Sequence, residues 1–220
     1  MCGRYTLAAG TPELVEAFDV PLPDFDWAPS YNVAPGQDAP VVAQDRHGRR
    51  VGLLTWGLIP GWKDEPGKPM INARSESILR RPSFREGFER RRCLIPADGF
   101  YEWKHDGAAK LPFWIHPASG GLLSLAGIWD HWTRPGQEAR NTFAILTMDA
   151  NDELSDIHDR MPAVIDPEDR GAWLARTTDG PAALALLRGG RPPAYDCRPV
   201  STRVNRTGED DATLLEAVER

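Results

Sequence analysis

Leu122-Leu123-Ser124-Leu125-Ala126-Gly127-Ile128 and, after a polar interval, Thr142-Phe143-Ala144-Ile145-Leu146-Thr147 are the stretches on which the fold turns. Both are short apolar runs, rich in branched and aromatic side chains and bounded by turn chemistry, which predicts β-strands. Val51–Trp56, Cys93–Ile95 and Phe113–His116 have the same character, and Val200–Val204 suggests a last strand. No regular helical period separates these runs. That favours antiparallel strands in an α+β domain over a doubly wound parallel sheet. Helices are expected at a few places only. Thr11-Pro12-Glu13 opens one, with Thr11 as cap, Pro12 in the first turn and Leu14, Val15 and Phe18 on one face. Asp166-Pro167-Glu168 opens a second that carries Trp173 and Leu174, and Pro181–Leu187 a third. Residues 21–40, rich in Pro and Asp, are expected to form an extended loop.

With 220 residues, 41% hydrophobic content and eight Trp, the chain can bury one sizeable core. It shows no repeat, linker or domain boundary. A net charge of −6 argues against a non-specific nucleic-acid coat. The charge is unevenly spread, however. Segment 74–92 holds seven Arg against three Glu, and segment 207–220 holds five acids against one Arg. Of the 26 basic residues only four are Lys, which suits bidentate phosphate recognition and equally a GC-rich coding sequence. Arg90-Arg91-Arg92 is expected to be a solvated face rather than a nucleic-acid contact. Cys2, Cys93 and Cys197 form no CxxC pair and no zinc spacing, so no metal or cofactor is expected. The odd cysteine count and the lack of a signal sequence or membrane span predict a cytoplasmic protein. Cys93 and Cys197 read as inert thiols.

Cys2 differs from both. Removal of Met1 would leave a 1,2-aminothiol, with an amine of pKa about 8 beside a thiol of about 8.5. Such a pair condenses with an aldehyde through nitrogen, and sulfur then closes a five-membered thiazolidine. Position 2 does not decide the chemistry alone, because class II glutamine amidotransferases also begin Met-Cys and use the cysteine for acyl transfer.

Four blocks narrow the choice. They are Tyr31-Asn32-Val33-Ala34-Pro35-Gly36; Trp56–Trp62 with Ile71-Asn72-Ala73-Arg74-Ser75-Glu76; Cys93–Trp103; and Ile157-His158-Asp159-Arg160-Met161-Pro162. With Cys2, they make the sequence closely resemble the SOS-response-associated peptidase (SRAP) family, from Cys2 to about Asn205. The resemblance implies a single α+β domain with a largely antiparallel, partly barrel-like sheet and a few peripheral helices. It also implies a catalytic domain over residues 1–206, followed by an acidic tail, 207–220. That tail is expected to limit binding to undamaged DNA by repulsion.

The implied activity is capture of abasic sites in single-stranded DNA as a thiazolidine crosslink, with β-elimination as a lyase side activity and peptidase-type processing ahead of Cys2. Cys2 would be the nucleophile. Asn72 would orient its amine or the opened sugar, Glu102 would move protons, and His158 would protonate the ring oxygen. Arg4, Arg74 and Arg160 would grip flanking phosphates, Pro35 and Trp62 would stack or wedge at the lesion, and Thr147 would make a smaller polar contact. The match departs from some relatives at Lys63, where they carry a second Trp, and it says less there about opening of a duplex. A monomer, nucleoid-associated on damaged DNA, is expected. An N-terminal-nucleophile amidohydrolase and a non-catalytic single-strand binder are the competing readings. The first leaves Glu102 and His158 without a task, the second leaves Cys2 idle.

Overall fold

The computed structural model describes residues 2–107 and 109–219. In chain order the elements are β1 (Tyr5–Leu7), α1 (Thr11–Phe18), β2 (Ser30–Val33), β3 (Asp38–Asp45), β4 (Gly48–Trp56), β5 (Asn72–Arg74), α2 (Pro82–Arg90), β6 (Arg92–Ala97), β7 (Gly99–Asp106) and β8 (Ala109–Pro117). They continue as β9 (Leu123–Trp132), β10 (Arg140–Asp149), β11 (Arg160–Pro162), α3 (Arg170–Leu174), α4 (Gly180–Gly189) and β12 (Tyr195–Pro199).

Two sheets result. One runs β12-β8-β7-β1-β2 with every pairing antiparallel. The other runs β11-β10-β4-β3-β6-β9, and β9 returns to pair with β10, closing a ring. Closure removes the free edges that an open sheet would leave. Parallel pairing is confined to β10, which takes β4 and β5 along part of its length. The fold is thus α+β, largely antiparallel and partly barrel-like.

The core follows from the burial of β6, β9 and β10, whose apolar side chains serve both faces of the ring. Between the sheets lie Tyr5, Trp56, Ile95, Phe100, Phe143 and Ile145. Trp56 stacks on Phe143 at 6.2 Å and leans on Tyr5 at 5.3 Å. On the outer face Phe88, Ile128, Leu146, Trp173 and Leu187 pack the ring against α2, α3 and α4. Gly127 sits where β6, β9 and β10 come closest. A Cβ there would run into Ile95 and lie 3.0 Å from Cys93 Sγ.

Several local expectations change. Gly10, not Thr11, caps α1, and Glu13 reaches back to the Gly10 N–H. Thr11 instead donates to Asp26 and accepts from the Trp27 N–H, both at 2.8 Å, pinning the following loop. The stretch 21–40 is not all loop, since β2 and the start of β3 lie within it. Proline does not stop β3, because Pro40 needs no ladder donor where β6 pairs only at Val42. Val200–Val204 is no strand; β12 ends at Pro199 and a 3₁₀ turn covers Thr202–Asn205. Pro82–Arg90 is a helix hidden within the arginine-rich segment. Nor is Arg90–Arg92 a uniformly solvated face. Arg92 is buried and donates to the carbonyls of Phe88, Glu89, Trp173, Ala175 and Thr178, and Arg91 pairs with Glu86 and Asp130.

The acidic stretch after 206 is packed on the domain. Leu214 is buried, Asp210 accepts from Ser30 Oγ at 2.9 Å and the Tyr31 N–H at 2.5 Å, and Val200 bridges Ala217. Among the described residues no helix is long and apolar enough to cross a membrane.

Candidate active site

Strand register brings Cys2 to Glu102. β1 runs antiparallel to β7 with Tyr5 opposite Phe100, and the Tyr101 N–H bonds the Arg4 carbonyl at 3.0 Å. Extending that register backwards from Tyr5 sets Arg4 against Tyr101, Gly3 against Glu102 and Cys2 against Trp103, one step from Glu102, whose charge Cys2 feels. Asn72 opens β5, which lies parallel to β10. From there its Nδ2 donates to the Cys2 carbonyl at 2.8 Å. Asn72 Oδ1 is buried and accepts no hydrogen bond among the described residues. His158 lies in the turn between β10 and β11, and its Nε2 stands 3.9 Å from Glu102 Oε2. Four separate segments thus deliver a thiol, an amide, a carboxyl and an imidazole to one place.

Burial sets the proton chemistry here. Cys2 is fully buried, and the loss of solvation, reinforced by the charge of Glu102, pushes its thiol well above the ordinary range. Glu102 is only 2% exposed, and burial lifts its carboxyl to about 7. A carboxyl poised there can accept and return a proton near neutrality. Burial likewise lowers His158. The Arg160 N–H donates to His158 Nδ1 at 2.9 Å, so the neutral ring carries its proton on Nε2, the nitrogen facing Glu102. Asp159 Oδ1, also 2.9 Å from Nδ1, favours the doubly protonated ring and so opposes that bond. The backbone N–H is fixed by strand β11 whereas the Asp159 side chain is 85% exposed. The neutral Nε2–H form therefore governs the resting site.

The arginines divide by environment. Arg74 is exposed and lines, with Lys68, Arg81, Asn72 and Phe84, a pocket of about 560 Å³. Arg4 is committed to protein: it donates to Asn32 Oδ1 (2.8 Å), the Val204 carbonyl (2.5 Å) and the Asn205 carbonyl (3.2 Å). Arg160 is 7% exposed and grips Glu76 through both terminal nitrogens and Asp149 through one. Thr147 is fully buried and presents no surface to a ligand; its carbonyl and hydroxyl receive Arg160 Nη2 at 2.8 and 3.4 Å. Pro35 lies in an exposed turn after β2, and Trp62 is 57% exposed on the loop from Gly57 to Ile71. The carbonyl of Lys63 anchors that loop by accepting from Trp132 and Arg134.

A second pocket, about 410 Å³, is lined by Glu102, His158, Arg4, Trp103 and Asn205. Asn32 and Asn205 have no role in the sequence reading, although Asn32 lies within one of its four blocks. Asn32 is buried and holds the carbonyls of Arg206 and Glu209 at 3.0 and 2.7 Å, while Asn205 Oδ1 accepts from Trp103 Nε1 at 2.8 Å. The partners lie 174 and 177 residues away for Asn32 and 102 for Asn205, and only the fold reveals the pairings.

Fold and site together define a class: an α+β domain built around a buried cysteine at position 2, with an amide, a carboxyl and an imidazole gathered beside it. The family model described as "SOS response associated peptidase (SRAP)" matches residues 1–207, and the chain belongs to that family. It is 39% identical to the abasic site processing protein YoqW of Bacillus subtilis, over 99% of this chain and all of the relative. It is 33% identical to the abasic site processing protein YedK of Escherichia coli over 99% of this chain and all of the relative. The crystal structure of a Bacteroides thetaiotaomicron protein superposes with a TM-score of 0.86 at 25% identity, covering 99% of this chain and all of that one.

Proposed function

We propose that this protein processes abasic sites in DNA, and that it does so by capturing the sugar aldehyde in single-stranded DNA on Cys2 after Met1 is removed. The observation that carries the reading is the meeting of Asn72, Glu102 and His158 around a buried position-2 cysteine. The relatives named abasic site processing proteins supply the substrate class.

The deoxyribose of an abasic site is mostly a closed ring. As the C1′–O4′ bond breaks, the ring oxygen takes the proton of His158 Nε2 and the C1′ hydroxyl gives up its own, which restores the imidazole and frees the aldehyde. The Cys2 amine adds to the aldehyde carbon, and the oxygen leaves as water, giving an imine. Sulfur then bonds to the imine carbon while its proton passes to nitrogen, closing the thiazolidine. A thiol kept protonated by burial favours this order, with nitrogen attacking first and sulfur second. Glu102 takes the proton from the attacking amine and returns one to the departing oxygen. Asn72 fixes the cysteine backbone so that amine and thiol reach the same carbon. Diversion of the imine to β-elimination would give the lyase side activity.

The test is a denaturing gel after incubation with single-stranded DNA bearing one abasic site. A Cys2-dependent band, stable without borohydride, is expected. Protein with a free Cys2 amino terminus that gives no such band would overturn the reading. Release of ammonia from glutamine would favour an amidohydrolase instead, and reversible binding alone a strand-binding module.

A further inference from the structure

The hairpin of β7 and β8 carries a lysine and an imidazole at the mouth of the Glu102 pocket that none of the preceding assignments uses. His105 and Lys110 are direct cross-strand partners, and both line the pocket that holds Glu102 and His158. Both are exposed. Trp103, whose indole is tied to Asn205, lines the same pocket as Glu102, His105 and Lys110. Lys110 makes no hydrogen bond or ion pair among the described residues. The one arginine on this rim, Arg4, is spent on Asn32, Val204 and Asn205.

We infer that His105 and Lys110 form a phosphate subsite that takes a backbone phosphodiester on one side of the lesion, with Arg74 serving the other side; this rests on the function proposed above. An abasic nucleotide has a phosphate on each side, and both must pass close to the carboxyls of Glu102 and Asp159. A strand entering only over the Arg74 pocket would leave its other phosphate facing those carboxyls unbalanced. The His105–Lys110 pair supplies the missing positive charge at the required place, since a sugar seated against Glu102 leaves the adjoining phosphate to emerge along the hairpin. Trp103 gives the same rim an aromatic edge. Contacts of this kind set strand position without reading sequence.

The geometry makes the subsite one-sided, and that is what the experiment reads. Reversible affinity would be measured with the Cys2→Ala protein and three oligonucleotides: abasic site internal, at the 5′ end, and at the 3′ end. A Lys110→Ala, His105→Ala double substitution on that background should weaken the internal-site oligonucleotide roughly tenfold at low salt. It should lower the salt slope by about one. Of the two end-site oligonucleotides, only the one extending over the hairpin should weaken, and Arg74→Ala should weaken the opposite one. Equal affinity and slope for all three in the double variant would overturn the subsite, as would equal weakening of both end-site oligonucleotides. If Cys2 protein crosslinks normally in that case, the proposed function stands and the subsite alone fails. If the wild type neither binds nor crosslinks, both fall.

Discussion

At the residue scale the decisive group is Glu102, because its burial makes two measurable demands. A carboxyl held at about 7 must shed its proton to serve as base, so the capture rate should rise with pH and level off above about 7. In Glu102→Gln that bend should vanish, and the rate should fall by about 10²–10⁴-fold, as loss of a general base does. Stability should move the other way. The native carboxyl binds its proton more tightly than the unfolded one, so wild-type stability falls as pH rises from the ordinary carboxyl value to about 7. Gln carries no such cost. The variant should therefore gain on the wild type across that window, by up to ~3 kcal/mol at pH 8. Urea unfolding at pH 5 and pH 8 measures it, and an unchanged difference between the two would refute the burial account.

Arg160 poses a second question at this scale. Its guanidinium is absorbed by Glu76, Asp149 and Thr147, and its backbone N–H fixes His158 Nδ1. We predict that Arg160→Lys slows capture ~10–100-fold by loosening that turn, since small misplacements of a catalytic group are costly. The salt slope of DNA binding should stay unchanged. A drop in slope of about one would instead mark Arg160 as a phosphate contact.

At the element scale Arg92 shows how a local charge can govern helix placement. Helices α2 and α3 end with carbonyls that have no partner within the helix. One guanidinium gathers Phe88 and Glu89 from α2, Trp173 and Ala175 from the end of α3, and Thr178 beyond it. Replacing it with Met should cost at least ~3 kcal/mol, because several buried carbonyls lose their donor together. That corresponds to a melting point lower by roughly 6–12 °C, read by thermal unfolding. The crosslinking rate per folded molecule should change little, as Arg92 holds the C-terminal end of α2, away from the Phe84 end that lines the Arg74 pocket. The same residue marks the limit of sequence reading. Runs such as Leu122–Ile128 and Thr142–Thr147 announce strands because burial on both faces leaves them uniformly apolar. The four residues that the fold gathers were legible too, Cys2 from its position and Asn72, Glu102 and His158 from distinctive blocks. Arg92, Asn32 and Asn205 were illegible because a buried polar residue acquires meaning only from carbonyls brought to it by the fold. Arg4 and Arg160, expected from sequence to grip phosphates, have protein partners that only the fold brings to them.

At the scale of the whole molecule the C-terminal stretch joins the site to the stability of the domain. Its acids are largely spoken for within the protein. Asp210 caps the start of β2, and Glu209 and Asp211 both pair with Arg203. Arg4 and Asn32 hold the carbonyls of Val204, Asn205, Arg206 and Glu209, so the wall that Asn205 gives the Glu102 pocket depends on this stretch. Charge repulsion of undamaged DNA, expected of a free acidic tail, would predict tighter undamaged-strand binding once residues 207–220 are removed. Packing predicts something different. Truncation exposes the cluster around Tyr101, Val200 and Leu214, strips Asn32 of a carbonyl partner and frees Arg203. The truncated protein should therefore melt several degrees lower and crosslink more slowly even at temperatures where it remains folded. Asp211→Asn separates the two effects, since it removes an exposed charge while keeping Leu214 in place. If that single change, with an unaltered melting point, tightens binding to undamaged single strands at low salt, repulsion is real. If affinity holds and only truncation slows capture, the acidic stretch works as a brace for the pocket wall.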